Sequence, residues 1–256
     1  MIRLFAITRE VNLNNDFDLV LYPLYSGEER HLKQLNMNRI FILLTTFFTV
    51  IILGQTKHEK KLSDFLPKGY VISEKVNGDL NIDGIDDIIL IIKGTDKSKI
   101  IKDEFRGELD RNRRGIIVLF NKIDYYELAS KNYNCFSSKN EDGGVYFPPE
   151  LSVEIKKGNL CVHYAHGRYG FWKYTFRFKN SDFDLIGYNE SNGGVVIESE
   201  TSINFLTKKK LEKVNANKNS EGGDEVFKQV WKNISINKLI KLSKIVDFDE
   251  FEIPDK

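Results

Sequence analysis

The sequence predicts a mainly β protein (β-rich α+β), an antiparallel sandwich or meander with short helices at its N- and C-terminal ends. Aromatic residues alternate with charged or hydroxyl residues over positions 171–179, which is the two-residue period of a half-buried strand. Positions 88–92 and 115–120 are continuous apolar runs of strand length, as expected for strands covered on both faces. Turn-forming residues separate the later segments at intervals of about 8–12 residues, which is typical of a sandwich or barrel.

The first half of the pattern is read in chain order. Residues 59–65 are expected to form one or two helical turns, closed by Pro67 and Gly69. Residues 70–76 mix β-branched and polar side chains and form the first predicted strand. Residues 124–129 are the predicted hairpin partner of the run at 115–120, because Asn121, Lys122 and Ile123 lie between them as a turn.

The second half continues as short strands joined by polar connectors. The predicted strands cover residues 151–155, 160–164, 171–179, 183–188 and 194–206. Residues 208–224 are polar and contain glycine, so a loop is expected there. Residues 227–234 and 239–245 are expected to be the short helices that end the chain.

A discontinuity lies near the start, where residues 40–54 contain no charge. A membrane-spanning helix needs about 20 apolar residues, so this run is short for an anchor. It has the length of a signal-peptide core, follows Met37 and Arg39, and ends at Gly54. We therefore expect residues 1–36 to be an over-extended N-terminus, 37–54 a signal peptide, and 55–256 a single β-rich domain. The alternatives are a membrane anchor in a chain that starts at Met1 and a buried helix.

Export places the mature domain in the periplasm, in the cell envelope or outside the cell, without stable membrane insertion once the signal is cleaved. The chain has 38 basic and 37 acidic residues, so no global basic field favours nucleic acid. Two basic patches are expected to be solvated turn charges; they comprise Arg111, Arg113 and Arg114, with Lys208, Lys209, Lys210 and Lys213.

The two cysteines exclude a disulfide-dense scaffold. In an oxidising compartment Cys135 and Cys161 could form one disulfide bond. Two buried free thiols are the alternative, and the sequence leaves both states open because it does not give the Cα separation.

The clearest chemical motif is the acidic loop of residues 78–87, between the first two predicted strands. Its side-chain oxygens recur at positions 1, 3, 5 and 9 of a calcium-type loop, with Gly84 at position 6 for the sharp turn. Calcium prefers six to eight oxygen ligands, and alternate side chains of a curled loop converge on one centre. The predicted ligands are Asp79, Asn81, Asp83 and Asp87, with the backbone carbonyl of Ile85. An ordinary acidic surface turn is the alternative.

The loop differs from an EF-hand because Leu90 stands at position 12, where an EF-hand has a bidentate glutamate. It resembles the D-x-[DN]-x-D-G-x-x-D loop of the FG-GAP/VCBS class found in integrin-type propellers, including the preceding Gly78 and the apolar strand after Asp87. That resemblance implies a structural calcium ion held in a strand–loop–strand hairpin. A propeller needs several such loops and this chain has one, so propeller architecture is not implied.

Residues 67–251 also resemble a group of exported bacterial proteins that pair one such loop with later shared segments. These segments are Asn134-Cys135, Glu141-Asp142-Gly143-Gly144-Val145, the aromatic strand at 171–179, and residues 202–207. The resemblance supports export and implies no particular activity.

Other groupings are weaker. Cys161, His163 and His166 have zinc-ligating side chains but no fourth ligand close in sequence, so a structural or surface role is favoured. His163 with Asp182 or Asp184 lacks a nucleophile motif. The sequence therefore predicts a non-enzymatic binding module with an unknown protein or glycan partner. A hydrolase with a site assembled from distant loops, and an inhibitor or immunity-type protein, are the alternatives.

Overall fold

The computed structural model describes residues 5–8, 20–23, 61–141 and 148–254. The chain divides into two units, residues 1–57 and residues 58–256. In the first unit β1 (Phe5–Thr8) pairs with β2 (Val20–Pro23) in an antiparallel hairpin. The predicted signal peptide at 37–54 lies outside the described residues. Within the described residues, no helix has the length and apolar character needed to span a membrane.

The second unit contains two main antiparallel sheets. The first has the strand order β3-β4-β7-β8. A separate two-stranded hairpin, β5 with β6, is inserted between β4 and β7. The bounds are β3 Tyr70–Gly78, β4 Asp87–Gly94, β5 Ile100–Asp103, β6 Gly107–Asp110, β7 Arg114–Asn121 and β8 Tyr126–Phe136.

The second sheet is a seven-stranded meander in which each strand pairs with the next one in sequence. Bulges interrupt the register between Thr175 and Phe176 and between Asn192 and Gly193. The strands are β9 Glu150–Lys156, β10 Asn159–Ala165, β11 Gly170–Lys179, β12 Asp182–Gly193, β13 Ile197–Asn204, β14 Lys209–Asn215 and β15 Phe227–Asn233.

The two sheets pack face to face as a sandwich. Ile89 and Ile116 of the four-stranded sheet share one buried core with Val162, Tyr174 and other residues of β10 to β12. The four-stranded sheet lies over β9 to β12, since β3 contacts β9 and β8 contacts β12. The predicted aromatic face of β11 belongs to this core, with Tyr174 and Phe176 buried and Trp172 and Phe178 packed against it.

The apolar run at 88–92 is buried on both faces, as its composition predicts. Ile89 and Ile91 face the second sheet, whereas Ile88, Leu90 and Ile92 form a smaller core on the opposite side. That second core is covered by Leu62, Phe65, Leu66, Tyr70, Tyr126 and Tyr133. The segment of residues 62–66, before β3, therefore covers the outer face of the four-stranded sheet.

The mainly β class is confirmed, but the predicted terminal helices are wrong. The described residues contain no α-helix, and the N-terminal turns amount to a 3-10 helix at Leu62–Phe65. Residues 227–234 form the edge strand β15, and only Leu242–Lys244 within 239–245 forms a 3-10 turn. The polar stretch at 208–224 is also not simply a loop, because it contains β14. Hydrogen bonding to β13 and β15 determines that segment's structure in spite of its polarity.

The C-terminal segment closes the sandwich after β15. Leu242, Ile245 and Phe248 are at most 2% exposed and belong to the main core. The amide of Asn132 on β8 donates to the carbonyls of Leu242 (2.9 Å) and Ile245 (2.6 Å). The backbone N–H of Phe248 donates to the Cys135 carbonyl at 2.9 Å. Residues 242–248 are therefore a structural part of the core.

Candidate functional site

The predicted calcium loop joins β3 to β4 and is held by its own side-chain oxygens. One Asp79 carboxylate oxygen accepts the N–H of Ile82 at 2.6 Å, and the other accepts the N–H of Gly84 at 2.9 Å. Asn81 Oδ1 accepts the N–H of Asp83, whose Oδ1 accepts the N–H of Ile85, each at 2.9 Å. Gly84 has φ +86°, the left-handed conformation expected at position 6.

Two residues fix this loop to the body of the sandwich. Leu80 is 2% exposed and lies in the main core. Asp87 is completely buried, and its two carboxylate oxygens accept the N–H of Leu80 (2.9 Å) and the N–H of Asn121 (3.0 Å). Burial, with a smaller contribution from the negative charge of Asp83, raises the pKa of Asp87. The base of the loop is thus rigid, and the negative charges of Asp83 and Asp87 repel each other.

The chemistry of the loop fits a hard cation, although its side chains do not converge on one point. All five predicted ligands supply oxygen, and a carboxylate oxygen that accepts one N–H retains a second lone pair. Within the described residues, no group of three or more His, Cys, Asp or Glu side chains is close enough to hold a metal ion. Asp87 is fixed at the base of the loop, whereas Asp79, Asn81 and Asp83 accept backbone N–H groups within the loop itself.

A second candidate site is a cleft of about 790 Å³ on the inner face of the seven-stranded sheet. Trp172 and Tyr174 on β11 and Tyr188 on β12 form one wall. The C-terminal segment from Phe248 to Ile253 forms the other wall. We call this space the aromatic cleft.

Ring contacts order the walls of the aromatic cleft. Trp172 stacks on the buried Tyr164, with ring centroids 5.4 Å apart and an interplanar angle of 13°. Tyr174 contacts Phe248 edge-on at 5.0 Å and Phe251 at 5.9 Å. Because each ring is held by another ring, the cleft is preformed rather than assembled on ligand binding.

Acidic side chains complete the aromatic cleft. Glu190 is 9% exposed, and its Oε1 accepts the side-chain amide of Asn192 at 2.9 Å. Asp249 and Glu252 are exposed at the opposite wall. Burial and then the charge of Asp249 raise the pKa of Tyr174, and burial and then the charge of Glu190 raise that of Tyr188. The cleft therefore carries a negative potential.

The predicted cysteine–histidine grouping does not form a metal site among the described residues. Cys161 is buried, and the His163 ring lies 3.4 Å from the Ser152 hydroxyl and against the Phe171 ring. Burial, then the charge of Lys173, lowers the pKa of His163. These contacts support the structural role that the sequence favoured.

The structure does not bring His163 together with either aspartate. The register aligns His163 through Lys173 with Asn189, which is five residues along β12 from Asp184. Asp184 forms an ion pair with Lys241 at 3.1 Å. Asp182 accepts the hydroxyls of Ser130 and Ser243, each at 2.6 Å, so both aspartates serve the packing of the fold.

Ion pairs hold several of the basic residues noted in the sequence, and the expected solvation is wrong for Arg114 and Lys210, which are buried. Arg111 pairs with Glu141 at 2.9 Å, and Arg113 pairs with Asp247 at 2.7 Å. Lys210 contacts Glu212 at 2.6 Å, and Lys213 contacts Glu200 at 2.9 Å. Arg114 is buried and its Nε donates to the Ser137 carbonyl.

Both cysteines are free thiols in the structure, one of the two states that the sequence left open. Cys135 belongs to the core between the sheets. On β10 the neighbours of Cys161, Leu160 and Val162, point into that core, so Cys161 points to the outer face. The two sulfur atoms therefore lie on opposite sides of β10.

No family model, curated protein or solved structure matches this chain. The site has to be interpreted from its own residues. Sequence reasoning missed the aromatic cleft, because its two walls come from segments that are 56 to 81 positions apart in the sequence. The local signal was the mixture of aromatic and acidic residues in Phe248-Asp249-Glu250-Phe251-Glu252, directly before the end of the chain.

Proposed function

We propose that this chain is an exported, non-enzymatic binding module whose fold is stabilised by a calcium ion in the loop of residues 79–87. The observation that carries the binding role is the mismatch between the sheets. Seven strands face four, and among the described residues β14 and β15 contribute no side chain to the core that the sheets share. The aromatic cleft lies on β11 and β12 of the same sheet.

The calcium proposal is supported by the oxygen-only composition of the loop and by its rigid base. Calcium would be held by Asp79, Asn81, Asp83, Asp87 and the Ile85 carbonyl, as the FG-GAP/VCBS resemblance implies. Its charge would offset the repulsion between the carboxylates and so stabilise the β3–β4 connection. Export supports a site of modest affinity, since extracellular calcium modules bind with dissociation constants of about 10⁻⁴–10⁻³ M. A mature N-terminus near Gln55 in protein from the native host would support export, and one at Met1 would exclude cleavage.

Calcium titration tests the metal part of the proposal. At a calcium concentration of about 10 to 100 times Kd, we expect about 1.4–2.7 kcal/mol of added stability and a Tm increase of about 3–10 °C. Asp83→Ala should remove both the titration heat and the Tm increase. Asp86→Ala, which changes an exposed acid in the same loop outside the ligand set, should retain both. No heat and no Tm increase for the wild type would refute the calcium site.

Binding without turnover tests the module against a hydrolase. Arrays of glycans and peptides should retain the protein through its aromatic cleft. Trp172→Ala should abolish that retention. Trp231→Ala is the matched control, because Trp231 is 66% exposed and pairs with Leu211 on the outer face of the same sheet. The retained compound should be recovered unchanged after long incubation, whereas cleavage products would favour the hydrolase.

A further inference from the structure

The aromatic cleft combines two features that together select a class of ligand. Its walls are aromatic rings, whose faces carry partial negative charge and attract cations within about 6 Å. Three carboxylates reach the same space, those of Glu190, Asp249 and Glu252. Among the lining residues that the structure describes, none carries a positive charge.

One buried cation, Arg114, interacts with the wall of the aromatic cleft without lining it. Arg114 is coupled electrostatically to Tyr164 and Asp249, but it is not among the residues that line the space. Its Nε is committed to the Ser137 carbonyl at 2.8 Å. The deepest acid, Glu190, is fixed in place by the amide of Asn192 and the hydroxyl of Tyr188. A negative group is therefore held beside the rings before any ligand arrives.

We propose that the aromatic cleft binds an alkylammonium group, with the cation over Trp172 and Tyr174 and its charge directed toward Glu190. This inference rests on the proposed binding role and specifies its ligand. An uncharged sugar would stack on Trp172 but would bring no positive charge to a space that three carboxylates line. An alkylammonium satisfies both the rings and the acids, and its apolar stem can lie along Phe251. The group could come from a free polyamine or from a lysine side chain of a protein.

Trp172 itself reports on the cleft, because the chain has only two tryptophans. The full chain carrying Trp231→Phe leaves Trp172 as the only indole, and its fluorescence is titrated at fixed ionic strength and fixed calcium. The probes are tetramethylammonium, spermidine and lysine blocked at both ends, with the neutral disaccharide chitobiose alongside. We expect a saturable change with the ammonium probes. Tighter binding of spermidine would indicate a polyamine source, and tighter binding of blocked lysine a protein source.

Charge variants decide whether the response comes from the cleft. Glu190→Gln should weaken binding about tenfold or more, whereas Glu154→Gln, an exposed acid on the outer face, should leave it unchanged. If circular dichroism shows that Glu190→Gln is unfolded, the double variant of the exposed acids, Asp249→Asn with Glu252→Gln, takes its place.

Three results would overturn the inference. They are no saturable response to any ammonium probe, equal losses in the Glu190 and Glu154 variants, or chitobiose binding that persists in Glu190→Gln while the ammonium probes fail. The last result would still support a binding module, but one whose ligand is not an alkylammonium group. Absence of a calcium response in the separate titration would affect the metal proposal alone.

Discussion

At the residue scale, the two cysteines show how position decides chemistry. Burial raises the pKa of both thiols, and Cys135 is completely inaccessible. Since the two sulfur atoms lie on opposite sides of β10, a disulfide would require one strand to turn over. The compartment therefore has less influence on their redox state than the fold does.

This arrangement predicts two protected thiols. Native protein should react with Ellman's reagent only on the time scale of unfolding, because neither sulfur is accessible as a thiolate. Unreduced protein in denaturant should then release about two equivalents of thiolate at once, as counted from the two cysteines. A denatured, unreduced sample that yields none would show that the chain forms the Cys135–Cys161 bridge instead.

The same scale shows what a local motif can reveal. The turn between β3 and β4 could be predicted because its residues are consecutive, and the left-handed Gly84 is confirmed, whereas calcium binding by the loop stays a prediction. The burial of Asp87 could not be predicted, because it depends on Asn121 from a different hairpin. Glu190 was not predicted as a site residue for a related reason, since only the fold places it beside Trp172 and the C-terminal segment.

At the element scale, Gly115 is the glycine of the first sheet whose added Cβ would lie closest to a neighbouring atom. A Cβ at this position would lie 2.1 Å from the carbonyl oxygen of Tyr133, a backbone atom that cannot move aside. The site coincides with the bulge between β7 and β8. A side chain there would push β7 and the edge strand β8 apart.

Gly115→Ala is therefore expected to lower the free energy of unfolding by about 2–3 kcal/mol, measured by urea denaturation. Gly187→Ala on β12 is the matched control, because its Cβ would meet only ordinary contacts at 3.6 Å. That variant should stay within about 1 kcal/mol of wild type. Equal losses in both variants would show that flexibility of glycine, and not crowding at Tyr133, sets the effect.

Strands could be predicted from the sequence where one of their faces is buried. They were hard to predict where neither face is buried. The alternation at 171–179 identified β11 because its aromatic residues enter the core. Residues 227–234 place Phe227, Val230, Trp231 and Ile234 at helical spacing, which misled the prediction. As an exposed edge strand, β15 has no buried face to impose a two-residue period, and pairing with β14 decides its conformation.

At the scale of the whole molecule, the sandwich depends on the segment of residues 242–248, which follows the last strand. Asp182 links Ser130 of the first sheet to Ser243 of the C-terminal segment. Leu242, Ile245 and Phe248 complete the core at that junction. The first sheet, the second sheet and the C-terminus therefore form one cooperative unit.

A chain that ends at Ile240 should fail to fold. Each lost core side chain is worth about 2–5 kcal/mol, and the sum approaches the total stability of a domain, about 5–15 kcal/mol. The expected result is loss of near-ultraviolet circular dichroism and of a cooperative thermal transition. A chain that ends at Pro254 should behave as wild type. A cooperative transition in the shorter chain would show that the two sheets are sufficient without the C-terminal segment.

The late position of these core residues also has a consequence in time. Ribosomes add about 5–20 residues per second, and domains fold as units once their residues are available. Since Leu242 to Phe248 follow all the described strands in the sequence, the sandwich cannot mature until the ribosome has made them. Both sheets are synthesised before the segment that completes their core, so the order of synthesis delays the folding of the domain.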